Sequence, residues 1–366
     1  MLRMSPVARN KIDVHILLAA DVVASVEILP RVRPPLARMF AGKEPSTVLT
    51  VLPRLFALCV AAQKTALLSA LETARDEVIT RATRQQRIAL IVTERIADLA
   101  RSLFVGHLTL DVASAAAIRS LMSELSAFVR SAQPAWSSAQ REATARIVAA
   151  LAALGLHEGE ALRSGSPLAL RVAALNDVDV KSIPAGHSFL SVADDLNITK
   201  RLLGDDSTFC YCPDVDGHVP ETGPWARQVS RDRLPLGPFG AAERLMARIN
   251  EILRLCAWLK AGAQIGAAEH GIIERYKLGP RRAAAAVECA RGRLYHAVEL
   301  DAQGRISRFE FLAPTEWNFH RRGPLVRNLQ GAVLTARRRE DAVHAVIASL
   351  DPCVAFTLNL SEVRDA

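Results

Sequence analysis

Apolar residues recur three and four positions apart over most of the chain between Ala37 and Leu154. The pattern is clear in "TVLTVLPRLFALCVAAQKTALLSALETARDEVI", "RQQRIALIVTERIADLARSLF" and "DVASAAAIRSLMSELSAFVRSA". This spacing places the apolar side chains on one face of a helix. It predicts several antiparallel helices that form a bundle. A further helix is predicted in "AAERLMARINEILRLCAWLKAGAQIG".

β-structure is predicted in two places. From Ile12 to Val32, apolar and polar residues alternate irregularly with β-branched ones, which indicates one or two short strands. In "GRLYHAVELDAQGRISRFEFLAP", two alternating runs flank Asp301-Ala302-Gln303-Gly304 and predict a β-hairpin. Between Gly165 and Gly240 the chain is rich in Gly, Pro and Asp, and "DDSTFCYCPDVDGHVPETGPWARQ" predicts a long ordered loop.

Alanine is abundant in "ATARIVAALAALGLHEGEAL" and "RRAAAAVECA", which favours closely packed helices. No repeat and no low-complexity linker divides the sequence. The expected fold is therefore a single, mainly helical α+β domain over residues 1–366, with a helical bundle and small β-hairpins.

Composition and charge indicate where the protein is located and which class of partner it binds. Half of the residues are hydrophobic, yet no apolar run reaches the ~18 residues typical of a membrane span. The segment "MLRMSPVARNKID" lacks the apolar stretch of a signal peptide, so a cytoplasmic location is expected. The net charge is +8, but stacking aromatics are not interleaved with the arginines. An acidic protein partner or a small anion is therefore favoured over nucleic acid.

Six cysteines are too few for a disulfide scaffold, and a cytoplasmic location would keep them reduced. They are Cys59, Cys210, Cys212, Cys256, Cys289 and Cys353. On their own, isolated cysteines are most often small buried hydrophobes, so thiolate chemistry and simple burial both remain open. Cys210, Cys212 and His218 have no matching partner pair, so an ordered loop is favoured there over a zinc site.

Two of the cysteine segments resemble metal-binding segments of nickel-iron hydrogenase large subunits. "RLFALCVAAQ" is similar to R-x-C-G-x-C-x-x-x-H, and "DPCVAFTLN" is similar to D-P-C-x-x-C-x-x-H. Each segment keeps one cysteine and lacks the other cysteine and the histidine. The retained residues are Arg54, Cys59, Asp351, Pro352 and Cys353, and the replacements are Phe56, Gln63, Phe356 and Asn359.

Three further segments resemble the same family and occur in the family's order. "PETGPWAR" resembles E-V-G-P-L-A-R, "ECARGRLYH" resembles E-A-P-R-G-x-L-x-H, and "APTEWN" resembles P-T-T-W-N. Together the matches run from about Ala37 to the end of the sequence. The resemblance therefore implies a fold like that of a hydrogenase large subunit.

In that family, four thiolates hold nickel, and two of them bridge to an iron that carries cyanide and carbon monoxide. By the resemblance, Cys59 occupies a bridging position and Cys353 a terminal nickel position. Two thiolates cannot complete a redox-active nickel site, which argues against nickel and against hydrogen turnover. Arg291 and Thr315 stand at the positions whose side chains hydrogen-bond the cyanides.

This combination resembles the HupK/HoxV group of hydrogenase maturation proteins. The resemblance implies a non-enzymatic scaffold that transiently binds an Fe(CN)2(CO) fragment and delivers it to a hydrogenase large-subunit precursor. Cys59 and Cys353 are the expected metal ligands, and Arg291 and Thr315 the residues that bind the cyanides. Other maturation proteins that assemble or carry the fragment are expected partners.

The alternative is a metal-free relative that acts by protein contacts alone, as the hydrogenase-like subunit of respiratory complex I does. For Cys289, close to Arg291, packing of a small residue is favoured over auxiliary iron ligation.

Overall fold

The structure is a computed structural model. It describes residues 11–29, 35–56, 58–105, 108, 110–130, 137–159, 162–177, 180, 187–234, 237–262, 271–334 and 338–363.

Six helices occupy the region in which the apolar periodicity predicts a bundle. They are α1 (Leu36–Phe40), α2 (Pro45–Leu55), α3 (Val60–Ala74), α4 (Arg81–Phe104), α5 (Val112–Arg130) and α6 (Ser138–Ala153). The helix predicted from Ala241 is also present, as α10 (Ala241–Lys260). Buried side chains of α4, α5, α6 and α10 form one hydrophobic cluster, to which Ile91, Leu125, Ile147 and Leu255 belong.

Helix α5 is the one helix in the described part of the chain that is long and apolar enough to cross a membrane. It packs against α4 and α6, and its Leu121, Leu125 and Phe128 are buried in the shared cluster. A core helix of a soluble protein passes the same test of length and composition. Length and composition alone are therefore weak evidence for a membrane span.

The predicted loop region between Gly165 and Gly240 contains three helices that its composition does not indicate. They are α7 (Pro167–Asn176), α8 (Asp195–Leu202) and α9 (Pro224–Asp232), with a short 3₁₀ turn at Val192–Asp194 before α8. Turns do extend from Asp205 to Gly223, as predicted, but the next residue begins α9. Proline is favoured at this first helical position because its missing N–H has no partner there.

A four-stranded antiparallel sheet lies against the helices. Its strands, in spatial order, are β3 (Ile273–Gly279), β4 (Arg282–Cys289), β5 (Gly292–Leu300) and β6 (Ile306–Leu312). The β5–β6 pair confirms the hairpin predicted around residues 301–304. A two-residue turn, Ala290–Arg291, joins β4 to β5, where Cys289 pairs with Gly292.

The helical interpretation of "RRAAAAVECA" is wrong, because this segment forms β4. Ala283 and Ala285 pack in the cluster that holds α2 and α3, whereas Ala284 and Ala286 pack with α8 on the opposite face. Both faces are covered, and small side chains allow α3 to approach the strand closely. Tertiary packing therefore overrides the helical propensity of alanine.

A second sheet of three strands brings together segments from near the two ends of the sequence. Strands β1 (Ile12–Ala19) and β2 (Val22–Leu29) form an antiparallel pair, which confirms strands in the Ile12–Val32 region; Val32 itself lies outside the described residues. Strand β7 (Phe356–Glu362) pairs in parallel with β1, with Phe356 opposite Ile12. The remaining helices are α11 (Pro314–Asn318), α12 (Pro324–Leu329) and α13 (Arg339–Ser349).

Candidate functional site

Cys59 lies immediately before α3 in a left-handed backbone conformation, with φ of 57°. Its side chain is only 6% exposed. Glu94 of α4 fixes this end of the helix, because it accepts hydrogen bonds from the N–H groups of Ala61 at 2.6 Å and Ala62 at 3.0 Å. Burial raises the pKa of Glu94 to about 7, although these two hydrogen bonds oppose the shift.

The sulfur of Cys59 has three neighbours of different chemistry. Its thiol donates to Oδ2 of Asp98 at 3.5 Å, and Nη1 of Arg291 donates to the sulfur at 3.7 Å. The third neighbour is the thiol of Cys289. This contact, together with burial, raises the pKa of Cys59, because two adjacent thiolates would repel each other. Removing both protons is therefore disfavoured without a bound cation.

Arg291 carries the buried positive charge of the site and comes from the β4–β5 turn. Its Nη1 lies 3.5 Å from Asp98 Oδ2, and its Nε lies 3.2 Å from Asp351 Oδ2. The Nε contact is an ion pair outside hydrogen-bonding geometry, so this buried N–H has no hydrogen-bond partner within the described residues. Burial opposes the charge of Arg291, but Asp351, Cys59 and Asp98 outweigh it and keep its pKa above the ordinary value.

Cys353 lies in the turn between α13 and β7. Its sulfur is 2.9 Å from the hydroxyl oxygen of Thr315, the second residue of α11. Asp351, two positions earlier, accepts a hydrogen bond from Ser102 Oγ at 3.0 Å and pairs with Arg291. The expected site residues thus form two direct pairs, Cys59 with Arg291 and Cys353 with Thr315. Asp351 connects the neighbourhood of Cys353 to Arg291.

The other matched segments pack around this turn. The amide of Asn318 donates to the carbonyl oxygen of Thr222 at 2.9 Å and accepts from the Thr222 N–H at 3.1 Å. Gly292 has φ of 138°, and a Cβ at this position would collide with the Thr222 side chain. Glycine is therefore required for the close approach of these two segments. This packing fixes the turn that carries Arg291.

Packing side chains fill the positions at which the matched segments lack one of the family's two cysteines. Phe56 contacts Phe311 edge-on, with ring centroids 5.4 Å apart, and Phe356 lies 5.4 Å from the ring of His344. Gln63, in place of a histidine, is 2.5 Å from Nε2 of His296. Burial lowers the pKa of His296 to about 3, so this ring is neutral. None of these three replacements offers a thiolate.

Three other cysteines lie outside these contacts. Cys256 is buried on α10, and Cys210 is buried in the ordered loop, with Cys212 exposed beside it. Throughout the ranges that the structure describes, no group of three or more His, Cys, Asp or Glu side chains is arranged to hold a metal ion. A bare ion would therefore find no complete set of protein ligands there.

Sequence reasoning missed the acidic residues of the site. Glu94 and Asp98 lie four residues apart on α4, so both project from one face of the helix towards Cys59 and the start of α3. The signal available was this pair of carboxylates within a run of buried residues in "IVTERIADLA". The contact between Cys289 and Cys59 was also missed, because it joins residues far apart in the sequence.

Known proteins share this fold over nearly the whole chain. The reduced Ni-Fe-Se hydrogenase from D. vulgaris Hildenborough superposes with a TM-score of 0.58 at 13% identity, covering 96% of this chain and 98% of that chain. The fold is that of hydrogenase large subunits. No protein-family model matches the sequence.

Sequence relatives define the family. The Bradyrhizobium diazoefficiens hydrogenase expression/formation protein HupK is 47% identical, covering 99% of this chain and 100% of its own length. HupK from Rhizobium leguminosarum bv. viciae is 33% identical, covering 97% of this chain and 98% of its own. The chain belongs to the HupK family of hydrogenase expression/formation proteins. Its role lies in hydrogenase expression and formation.

Proposed function

We propose that this protein is a cytoplasmic maturation scaffold that binds the Fe(CN)2(CO) fragment of the nickel-iron cofactor. Cys59 and Cys353 supply thiolates to the iron, and Arg291 and Thr315 donate hydrogen bonds to the cyanides. The fragment is cargo, received from other maturation proteins and delivered to a hydrogenase large-subunit precursor. The chain itself catalyses no reaction.

The observation that carries this proposal is the buried guanidinium beside a buried thiol. Arg291 contacts Cys59, and its Nε–H has no hydrogen-bond partner among the described residues. Leaving a buried charged donor unsatisfied is costly, and a partly anionic cyanide is a suitable acceptor for it. The hydroxyl of Thr315 offers a second donor beside Cys353.

An iron fragment needs fewer protein ligands than a bare ion, because it brings three diatomic ligands of its own. Two thiolates can therefore hold it without a complete protein cage. A large subunit with four cysteines binds the same iron in a more complete site, so transfer to that subunit is downhill. Because Phe56 and Phe356 replace cysteines, the two further sulfurs that nickel requires are absent.

The space beside Arg291 is small. The cavity there has a volume of about 10 Å³ and is lined by Arg244, Arg248, Arg291 and Asp351, among others. This is about the room that one water molecule needs. Side chains around Arg291 must move to admit the fragment, so loading involves a local opening of the site.

The test is anaerobic isolation from cells that make the other maturation proteins. We expect iron, little nickel, and infrared bands in the cyanide and carbonyl stretching region. Incubation with an iron-free large-subunit precursor is expected to move these bands to the precursor. Stoichiometric nickel, or iron without diatomic ligands, contradicts the proposal. Protein that lacks metal but still promotes maturation favours the metal-free adaptor.

Arg291→Ala is expected to reduce the amount of bound fragment by about 10- to 100-fold, because a charge-assisted hydrogen bond contributes about 1.5–3 kcal/mol. Arg291→Lys keeps the charge without the planar fork and should give an intermediate yield. Iron content and infrared band intensity per protein measure the effect. Arg305→Ala, at a 54% exposed arginine after the 301–304 turn, is the matched control. Equal loading of all four proteins would exclude a role for Arg291.

A further inference from the structure

Cys289 contributes a sulfur beside that of Cys59, and the Cys353 sulfur lies 2.9 Å from the hydroxyl oxygen of Thr315. Cys289 is 2% exposed and Cys59 is 6% exposed, and both lie in the same core cluster. A pair of buried thiols in mutual contact, next to a buried guanidinium, is more than the packing of small residues requires.

The β4–β5 turn fixes Cys289 relative to Arg291. Cys289 ends β4 and pairs with Gly292 across the two-residue turn that contains Arg291. From the same turn the guanidinium of Arg291 reaches Cys59, with 3.7 Å between Nη1 and the sulfur. One tight turn therefore sets the positions of a sulfur and of a cationic donor together. Thr222 packs against Gly292 and holds the turn in place.

We propose that Cys289 is a thiolate ligand of the iron, which is held between Cys59 and Cys289. This inference rests on the proposed function and changes the ligand set of the same site. Cys353, next to Thr315, then acts as an additional or entry ligand. Such a pair supplies two soft sulfurs at one edge of the fragment, although positions 56 and 356 carry no cysteine.

Binding is a ligand exchange without a change in oxidation state. Each thiol loses its proton, and each sulfur forms a bond to iron with its electron pair. Two weakly held ligands of the incoming fragment, such as water or a donor's thiolate, leave with their own electron pairs. The carboxylate of Asp98, which already accepts from Cys59, is the first acceptor for the Cys59 proton; both protons pass to solvent or to the leaving group.

The experiment compares four proteins isolated anaerobically under identical conditions: the parent, Cys289→Ala, Cys289→Ser and Cys256→Ala. Cys256 is the matched control, since it is also a buried cysteine but lies on α10. Loss of a direct ligand should lower bound iron by about tenfold or more in both Cys289 variants. Any fragment that remains should show shifted cyanide and carbonyl bands, because a sulfur donor is lost.

Thermal unfolding of the metal-free proteins distinguishes a folding defect from a ligand defect. We expect both Cys289 variants to unfold at temperatures close to that of Cys256→Ala. If the parent loads and both Cys289 variants match it in iron content and band positions, Cys289 is not a ligand, while the proposed function stands. If the parent itself carries no iron-diatomic bands, the proposed function fails, and this inference fails with it.

Discussion

Protein with Cys59→Ser is expected to carry no iron fragment and to deliver none. The sulfur of Cys59 is the atom that the Asp98 carboxylate, the Arg291 guanidinium and the Cys289 thiol all contact. A serine hydroxyl stays protonated near neutral pH and is a hard ligand, whereas low-valent iron with cyanide and carbonyl ligands favours soft thiolate. Serine is close in size to cysteine, so the site should otherwise keep its shape.

The measurement has two stages. Iron content and infrared bands first report loading, and mixing with an iron-free large-subunit precursor then reports delivery, as hydrogenase activity after nickel is supplied. Cys256→Ser serves as the control and should behave as the parent. Cys353→Ser should load less than the parent, because the thiol next to Thr315 is removed. If Cys59→Ser loads and delivers as well as the parent, iron is held elsewhere or not at all, and the metal-free adaptor becomes the better interpretation.

A second large effect is expected at Glu251 of α10, where Glu251→Gln should lower the free energy of unfolding by about 3–5 kcal/mol. Its carboxylate accepts from Arg95 of α4 at 2.7 Å and from two nitrogens of Arg227 of α9 at 2.7 and 2.8 Å. Glu251 and Arg95 are both 2% exposed. Burial alone would raise the pKa of Glu251, but Arg227 and Arg95 outweigh it and lower the pKa. An uncharged amide would leave Arg95 buried without its carboxylate.

Urea denaturation followed by circular dichroism measures this loss. Glu142→Gln is the matched control, because Glu142 also pairs with an arginine, Arg146, but the two side chains are 68% and 53% exposed. Exposed pairs contribute little, so no measurable change is expected for the control. If Glu251→Gln and the parent unfold at a similar urea midpoint, the ion pairs of Glu251 with Arg95 and Arg227 contribute no net stability.

Much of the architecture follows from local patterns. The period of three and four residues identifies α2 to α6 and α10, and period-two alternation identifies β1, β2, β5 and β6. Strand β4 cannot be predicted in this way, since four consecutive alanines carry a helical propensity. Only packing between α3 and α8 selects the extended conformation. Helices α7, α8 and α9 have only 10, 8 and 9 residues, so each shows the helical period over about two turns within a segment rich in Gly, Pro and Asp.

In the candidate site, too, some residues can be identified from the sequence, and others only from the packing of the folded chain. The matched segments single out Cys59, Arg291, Thr315 and Cys353, and the structure brings Arg291 to Cys59 and Thr315 to Cys353. The roles of these four as ligands and donors stay predictions. Asp98 and the Cys59–Cys289 contact depend on how α4 and the β4–β5 turn pack against the start of α3. No spacing along the chain encodes such contacts.

The parallel pairing of β1 with β7 has a consequence for biosynthesis. Roughly 300 residues separate Cys59 from Cys353. At about 5–20 residues per second, a ribosome needs roughly 15–60 s to add them. During that interval the nascent chain has an unpaired edge on β1, and over about the last 60 residues of it Arg291 has no Asp351 beside it. Asp351 and Cys353 lie just before β7, so the site can form only after this segment has been synthesised. Until then, this edge of β1 offers unpaired N–H and C=O groups to which another chain can pair.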